Sequence, residues 1–362
     1  KPVVFCTFCR MRAASLAVVS WLSFGGLWGS ATLLSGCVDP NGNDPFDASA
    51  DGSTDSTDGF SDQDLGASRD LTAQEGDLGK GPRVVRFAAV GDTGKGNTGQ
   101  QQVADAIARK CMTSGCDFVQ LLGDNIYESG VASVTDPQWQ TKFEVPYKDV
   151  KAPFYVTLGN HDYGGNGAGN EFDKAKWEIL YTASSMKWKL PANHYRRVVE
   201  NADFFILDTN LIMYSREVDK QVASVKDWLS SSTSTWKIAF GHHPSLSNGP
   251  HGNAGSYDGL PGVPVVDGKT VKTFLDDNVC GKVDLYLSGH DHSRQWMVDT
   301  CKGTELAVSG AGASPTDLKG KNAVRWQANT LGFLYVTITD RQLVAEFIDT
   351  SGKVEFTRTL NK

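Results

Sequence analysis

Residues 83–362 predict an α/β fold of two mixed β-sheets packed face to face, with helices on the outside. Three observations carry this expectation. The first part of the segment alternates short apolar runs with stretches of helical spacing. From residue 306 onward there are strand-like runs with no helix between them. Five short motifs rich in Asp, Asn and His stand where apolar runs end. In α/β sheets, ligands gather at the carboxyl ends of strands, so motifs placed there mark the edge where a site forms.

Val84–Val90 is an apolar run bounded by Pro82 and Gly91, as a buried strand requires. Over 100–110, Val103, Ala104, Ile107 and Ala108 recur at helical spacing and define one apolar face. Phe118–Leu122 and 154–158 are again short and apolar, which gives a β-α-β alternation. Further strands are expected over 204–208, Trp236–Phe240 and Leu285–Ser288, with helices around 219–229 and 271–277. Beyond them, 306–309, 333–337, 343–348 and 354–359 read as strands joined by turns. There is no internal repeat, and no Pro-, Gly- or Ser-rich break inside 83–362 marks a second domain.

The formal net charge of −7 is unevenly spread. Lys1, Arg10 and Arg12 give the first 37 residues +3, while 38–82 carry eleven acidic side chains against Arg69 and Lys80. The remaining segment is at −1 and offers no basic surface, so nucleic acid is not expected as a partner. Residues 11–36 read as an export signal: Arg12 is its positive end and an uncharged apolar run fills 13–34. The ending Leu34-Ser35-Gly36-Cys37 resembles a bacterial lipoprotein cleavage box. It implies cleavage before Cys37, lipidation there, and a membrane tether in the cell envelope, periplasmic or at the surface. An uncleaved anchor is the other reading, since the run is nearly long enough to span a bilayer. Residues ahead of Met11, Cys6 and Cys9 included, are given no structural weight. Residues 38–82 are rich in Asp, Gly and Ser and read as a disordered acidic tether, because they cannot bury enough apolar surface to offset the entropy of ordering.

Cys111, Cys116, Cys280 and Cys301 remain. An exported chain meets an oxidising compartment, where an even count favours disulfides. Three pairings are possible; Cys111–Cys116 with Cys280–Cys301 is the simplest, joining near neighbours. None lies in a histidine motif, so none is expected to hold metal.

Six of the seven histidines fall in three motifs: Gly159-Asn160-His161-Asp162, Gly241-His242-His243-Pro244 with His251 beyond it, and Gly289-His290-Asp291-His292. Two Gly-Asp turns precede them, Gly91-Asp92 and Gly123-Asp124-Asn125-Ile126-Tyr127. Imidazole, carboxylate, amide and phenol donors gathered at strand ends are what two metal ions sharing one site require. A single Gly-Asp turn says little, whereas the five motifs together are specific. His290 and His292 stand two apart, so in an extended segment both imidazoles would face one site.

In this order the motifs resemble those of the calcineurin-like metallophosphoesterases, and Tyr127 three residues after Asp124 narrows the resemblance to purple acid phosphatases of the small, tartrate-resistant type. Pro244, His251, Ser309-Gly310-Ala311-Gly312, Trp188, Pro191 and Tyr195 extend it over about residues 84–360. The resemblance implies hydrolysis of small-molecule or protein phosphomonoesters, and a monomer is expected. It implies a ferric ion held by Asp92, Asp124, Tyr127 and His292, and a divalent ion (Fe, Zn or Mn) held by Asp124, Asn160, His242 and His290. It also makes His161 and His251 candidates for proton donation and phosphate binding, with Asp162 orienting His161. A phosphodiesterase or nucleotidase with two divalent ions, or a lipoprotein that only binds, are the competing readings. His243 stands where small mammalian-type enzymes carry Tyr, and His194 belongs to no motif and reads as structural. The short stretch between Asp208 and the helix near Asp219 leaves no room for the long inhibitory loop of those enzymes, so activity without proteolytic trimming is expected.

Overall fold

The computed structural model describes residues 82–260, 262 and 266–362. The expected export signal over 1–37 and nearly all of the acidic tether over 38–82 lie outside the described residues. Four strands open the fold: β1 (Val84–Val90), β2 (Phe118–Leu122), β3 (Phe154–Thr157) and the two-residue β4 (Trp188–Lys189). Seven follow in a second sheet: β5 (Tyr195–Val199), β6 (Ala202–Ile206), β7 (Trp236–Phe240), β8 (Leu285–Ser288), β9 (Arg294–Met297), β10 (Glu305–Ser309) and β11 (Val324–Ala328). The chain then returns to the first sheet with β12 (Gly332–Thr339), β13 (Gln342–Asp349) and β14 (Val354–Asn361). The orders are β14-β13-β12-β1-β2-β3-β4 and β11-β9-β10-β8-β7-β6-β5. Each sheet is mixed. β1 to β4 run parallel, as do β6, β7, β8 and β10, while β12 to β14 and β5, β9 and β11 pair antiparallel.

Apolar side chains on both faces of a strand demand cover on both faces. In β6, Phe204 points between the sheets and its neighbour Phe205 points to the outer helices. Phe204 meets Phe87 of β1 at 5.5 Å and Phe240 of β7 at 5.8 Å, and Phe87 stacks on Phe118 of β2 at 4.9 Å. These rings join the two sheets into one core. Helix α1 (Thr98–Ser114) covers the first sheet with Val103, Ala104 and Ile107. It starts where the Asn97 side chain accepts from the Gln100 amide and stops at Gly115, whose φ of 83° the helix cannot continue. Over the second sheet lie α3 (Thr209–Met213), α4 (Val218–Ser231) and α5 (Lys269–Asn278), contributing Ile212, Val225, Val271 and Leu275. The short α2 (Lys176–Tyr181) precedes β4. Only residues 214–217 separate α3 from α4. Disulfides join Cys111 to Cys116 and Cys280 to Cys301, the simplest of the three pairings.

Asp208 caps α3, accepting from the Leu211 amide at 2.9 Å and from the Tyr163 hydroxyl at 2.5 Å. Burial raises its carboxyl to about 7 despite those two donors. Its unfolded value is near 3.8, so its contribution to stability is complete below pH 4 and is lost as pH rises from about 4 to 7. Asp208→Asn removes this dependence. Relative to wild type, the variant is expected to gain on the order of 4 kcal/mol between pH 4 and pH 7.5. Urea unfolding at the two pH values checks this, and a pH-independent difference would refute it.

Candidate metal centre

The carboxyl ends of five parallel strands supply the motif residues. Asp92 follows β1, Asp124 follows β2, Asn160 and His161 follow β3, His242 follows β7, and His290 and His292 follow β8. Asp92, Asp124 and His290 have left-handed backbones, with φ of 59°, 53° and 68°. That conformation costs an L-residue on the order of 1 kcal/mol and concentrates where function holds the backbone. The turned backbone at His290 also replaces the extended segment expected there. His290 and His292 therefore reach different parts of one site.

The seven side chains converge as two groups sharing Asp124. In one, the Tyr127 hydroxyl lies 3.1 Å from Asp92 Oδ1, 3.0 Å from Asp124 Oδ2 and 3.0 Å from His292 Nε2. In the other, His242 Nε2 lies 3.3 Å from Asp124 Oδ1, 2.9 Å from Asn160 Oδ1 and 3.1 Å from His290 Nδ1. His242 Nδ1 donates to the Leu122 carbonyl at 2.9 Å, which leaves Nε2 without a proton and free to bind when the ring is neutral. Backbone approach is close: a Cβ on Gly159 would lie 2.3 Å from Asp124 Oδ1, and one on Gly123 would lie 2.4 Å from His242 Nδ1.

Asp92 and Asp124 are buried, and no Lys or Arg pairs with either among the described residues. Burial pushes the Asp92 carboxyl well above its usual range. Burial acts the same way on Asp124, but His242 and His161 outweigh it and hold that carboxyl low. Burial opposes charge on His242 too, yet the two carboxylates raise it to about 9. Burial, with Lys95 nearby, lowers His292 to about 4. Two buried carboxylates, a phenol, an amide oxygen and three imidazoles, with no salt bridge from Lys or Arg to either carboxylate among the described residues, form a donor set that fits a pair of hard or borderline cations.

The family profile for calcineurin-like phosphoesterases matches residues 85–294. The chain belongs to that family. It is 30% identical to tartrate-resistant acid phosphatase type 5 of Sus scrofa, over 75% of this chain and 86% of that one. It is 28% identical to purple acid phosphatase 4 of Arabidopsis thaliana, over 74% and 81%. The solved structure titled GAP50, the anchor in the inner membrane complex of Plasmodium, shares the fold at 23% identity. Its TM-score is 0.62 and the match covers 77% of this chain and 89% of that one.

Two further histidines flank the centre of this phosphoesterase. The His161 ring lies 4.2 Å from the Tyr127 ring, and its Nδ1 is 2.6 Å from the Glu128 carbonyl. The His251 ring stacks on His290 at 4.1 Å, with Nδ1 2.8 Å from Asp258 Oδ1. A carbonyl or carboxylate beside each Nδ1 assigns the proton there, which turns Nε2 of both rings to other partners. The expected contact between Asp162 and His161 is absent. Asp162 is buried and accepts from the amides of Gly159, Asn125 and Ile126 at 2.8, 2.8 and 3.2 Å and from Asn125 Nδ2 at 2.8 Å. It ties the second motif to the third, and the Glu128 carbonyl is what orients His161.

Asp291 plays the matching part across the site. Its carboxylate accepts from the His251 amide at 3.0 Å and the Gly252 amide at 3.3 Å. Sequence reasoning passed over it, although an acid between two histidines was the available signal. His243 is buried beneath the centre, with Nδ1 2.9 Å from the Thr209 hydroxyl, so it does not reach the rim. His194 stands apart, between Asn193 and Ser224.

Proposed function

We propose that this chain is an acid phosphatase that hydrolyses phosphate monoesters at a centre of one ferric and one divalent ion (iron, zinc or manganese). The observation that carries the reading is the Tyr127 hydroxyl, about 3 Å from two carboxylates and an imidazole. A phenol in that company suits a hard, highly charged cation, and a site for two plain divalent ions has no need of one. Asp92, Asp124, Tyr127 and His292 would hold the ferric ion. Asp124, Asn160, His242 and His290 would hold the divalent one. When bound, the pair supplies positive charge opposite the phosphoryl oxygens and the acidity that makes water a nucleophile at low pH. The acid phosphatase relatives support the monoester assignment.

His161, with Nδ1 fixed by Glu128, would present Nε2 to hold or give the proton that the departing alkoxide needs. His251, on the His290 side, would assist in holding the phosphate. His161→Ala is expected to lower kcat about 100-fold for an alkyl phosphate. The loss should be much smaller for p-nitrophenyl phosphate, whose leaving group departs without a proton. Equal losses on both substrates would remove His161 from that role.

The deciding experiment is a visible spectrum with elemental analysis of the purified protein. A phenolate on ferric iron gives a charge-transfer colour, so the protein should be violet or pink and Tyr127→Phe colourless. A colourless, manganese-dependent protein that prefers diesters would favour the two-divalent-ion phosphodiesterase or nucleotidase. The lipid anchor at Cys37 belongs to this proposal as well and rests on the sequence alone. Full-length protein fractionating as soluble would remove it.

A further inference from the structure

A cavity of about 490 Å³ opens beside His251. Its walls include Ser256, Asn253, Lys319, Lys321 and Asn322, and the carboxylate beside it, Asp258, is engaged by His251 Nδ1 at 2.8 Å. Both lysines are exposed and stand on a loop held from below. The amides of Lys319 and Gly320 donate to the carbonyl of buried Asn248 at 2.7 and 2.8 Å. The Asn322 amide donates to Asn248 Oδ1 at 2.7 Å, and its side-chain Nδ2 donates to the Ser247 carbonyl at 2.9 Å and to Asn253 Oδ1 at 2.8 Å. A Cβ at Gly320 would come within 2.6 Å of Asn248 Cα, so this approach requires glycine. The loop is thus fixed by buried amides while its two cations face open space.

His251 joins this cavity to the centre. Its ring stacks on His290 at 4.1 Å, and the same residue lines the cavity. On the His251 side of the centre, a substrate portion extending away from a bound phosphoryl group would reach toward Lys319 and Lys321. We propose that this cavity is a subsite for a second anionic group on the alcohol portion of the substrate, so that small bisphosphorylated esters are preferred over singly phosphorylated ones. The proposal rests on the phosphatase reading above. The volume suits a sugar-sized group, and two exposed lysines facing a phosphate dianion supply a preference of about tenfold.

The test compares fructose 1,6-bisphosphate with fructose 6-phosphate on the metal-loaded full chain. The expected ratio of kcat/KM is about 10, carried by KM and shrinking as salt rises. Lys319→Met with Lys321→Met should bring the ratio to about 2, the statistical advantage of two phosphates. A loop that merely supported the fold would lower both substrates alike and leave the ratio, which would overturn the subsite, as would a wild-type ratio near 2. Calorimetric binding of fructose 1,6-bisphosphate to both proteins separates the two levels of the argument. Binding that weakens about tenfold in the double variant, with no hydrolysis of either sugar phosphate or of p-nitrophenyl phosphate, would uphold the subsite and refute the phosphatase reading. Binding indifferent to both lysines would overturn the subsite whatever the turnover.

Discussion

Asp124→Asn is expected to lower kcat/KM by more than about 1,000-fold and to reduce bound metal from two ions per chain to at most one. Both groups of the centre share this carboxylate: Oδ2 lies 3.0 Å from the Tyr127 hydroxyl and Oδ1 lies 3.3 Å from His242 Nε2. Oδ1 also accepts from the His161 amide at 2.9 Å, which ties the flanking histidine to the same side chain. Asparagine keeps the shape but loses the charge and one acceptor oxygen. Its NH2 group would also turn a donor toward the Tyr127 oxygen or His242 Nε2, the atoms that the proposed ions would use. Folding should survive, since an amide is easier to bury than a carboxylate. Turnover within tenfold of wild type, or two ions still bound, would refute the shared role.

Arg294→Ala is expected to cost about 3–5 kcal/mol of stability, which for a domain of this size lowers the melting temperature by roughly 10 °C. Arg294 opens β9 in the second sheet and is fully buried. Its Nη2 donates to Glu355 Oε2 of β14 at 2.6 Å and to the Thr330 hydroxyl at 2.5 Å, and its Nε donates to the Thr330 carbonyl at 3.0 Å. The guanidinium also lies over the Trp326 ring at 5.2 Å. One side chain on β9, next to the edge strand β11, therefore ties the second sheet to the edge strand β14 of the first. Alanine leaves Glu355 unpaired and opens a void under Trp326. Lysine should rescue little, since a point charge cannot serve three acceptors set for a planar fork. Differential scanning calorimetry checks this, and a shift below about 2 °C would refute it.

Strands buried on both faces were legible because their sequences are apolar throughout. β1, β2, β7 and β8 fall on the expected runs. β9 escaped notice, since Arg294 and Gln295 read as exposed until their partners are known. Gln295 donates to Ser247 Oγ at 2.9 Å, across 48 residues of chain. β4 is two residues long, below what periodicity can register, and β5 reads Tyr-Arg-Arg-Val-Val, with neither an apolar run nor an alternation to mark it. The seven donors of the centre were readable because strand ends carry them in compact motifs. The tasks of Asp162 and Asp291 were not, because both serve amides 36 to 40 positions away and Asp162 one in its own turn as well. The positive φ at His290 was equally invisible, as nothing in Gly-His-Asp-His announces which residue bends.

The positive φ values at Asp92, Asp124 and His290 set the molecule's resilience against its chemistry. Glycine at any of them would relax the backbone, and at the two aspartates it would also remove an acid from the interior. At the two aspartates, and with no metal bound, such variants should withstand heat better than their parent while lacking a side chain that the proposed ions need. Directed evolution of this scaffold for thermal endurance alone would therefore erode the residues that give it a purpose, and every round needs a turnover screen beside the melting curve.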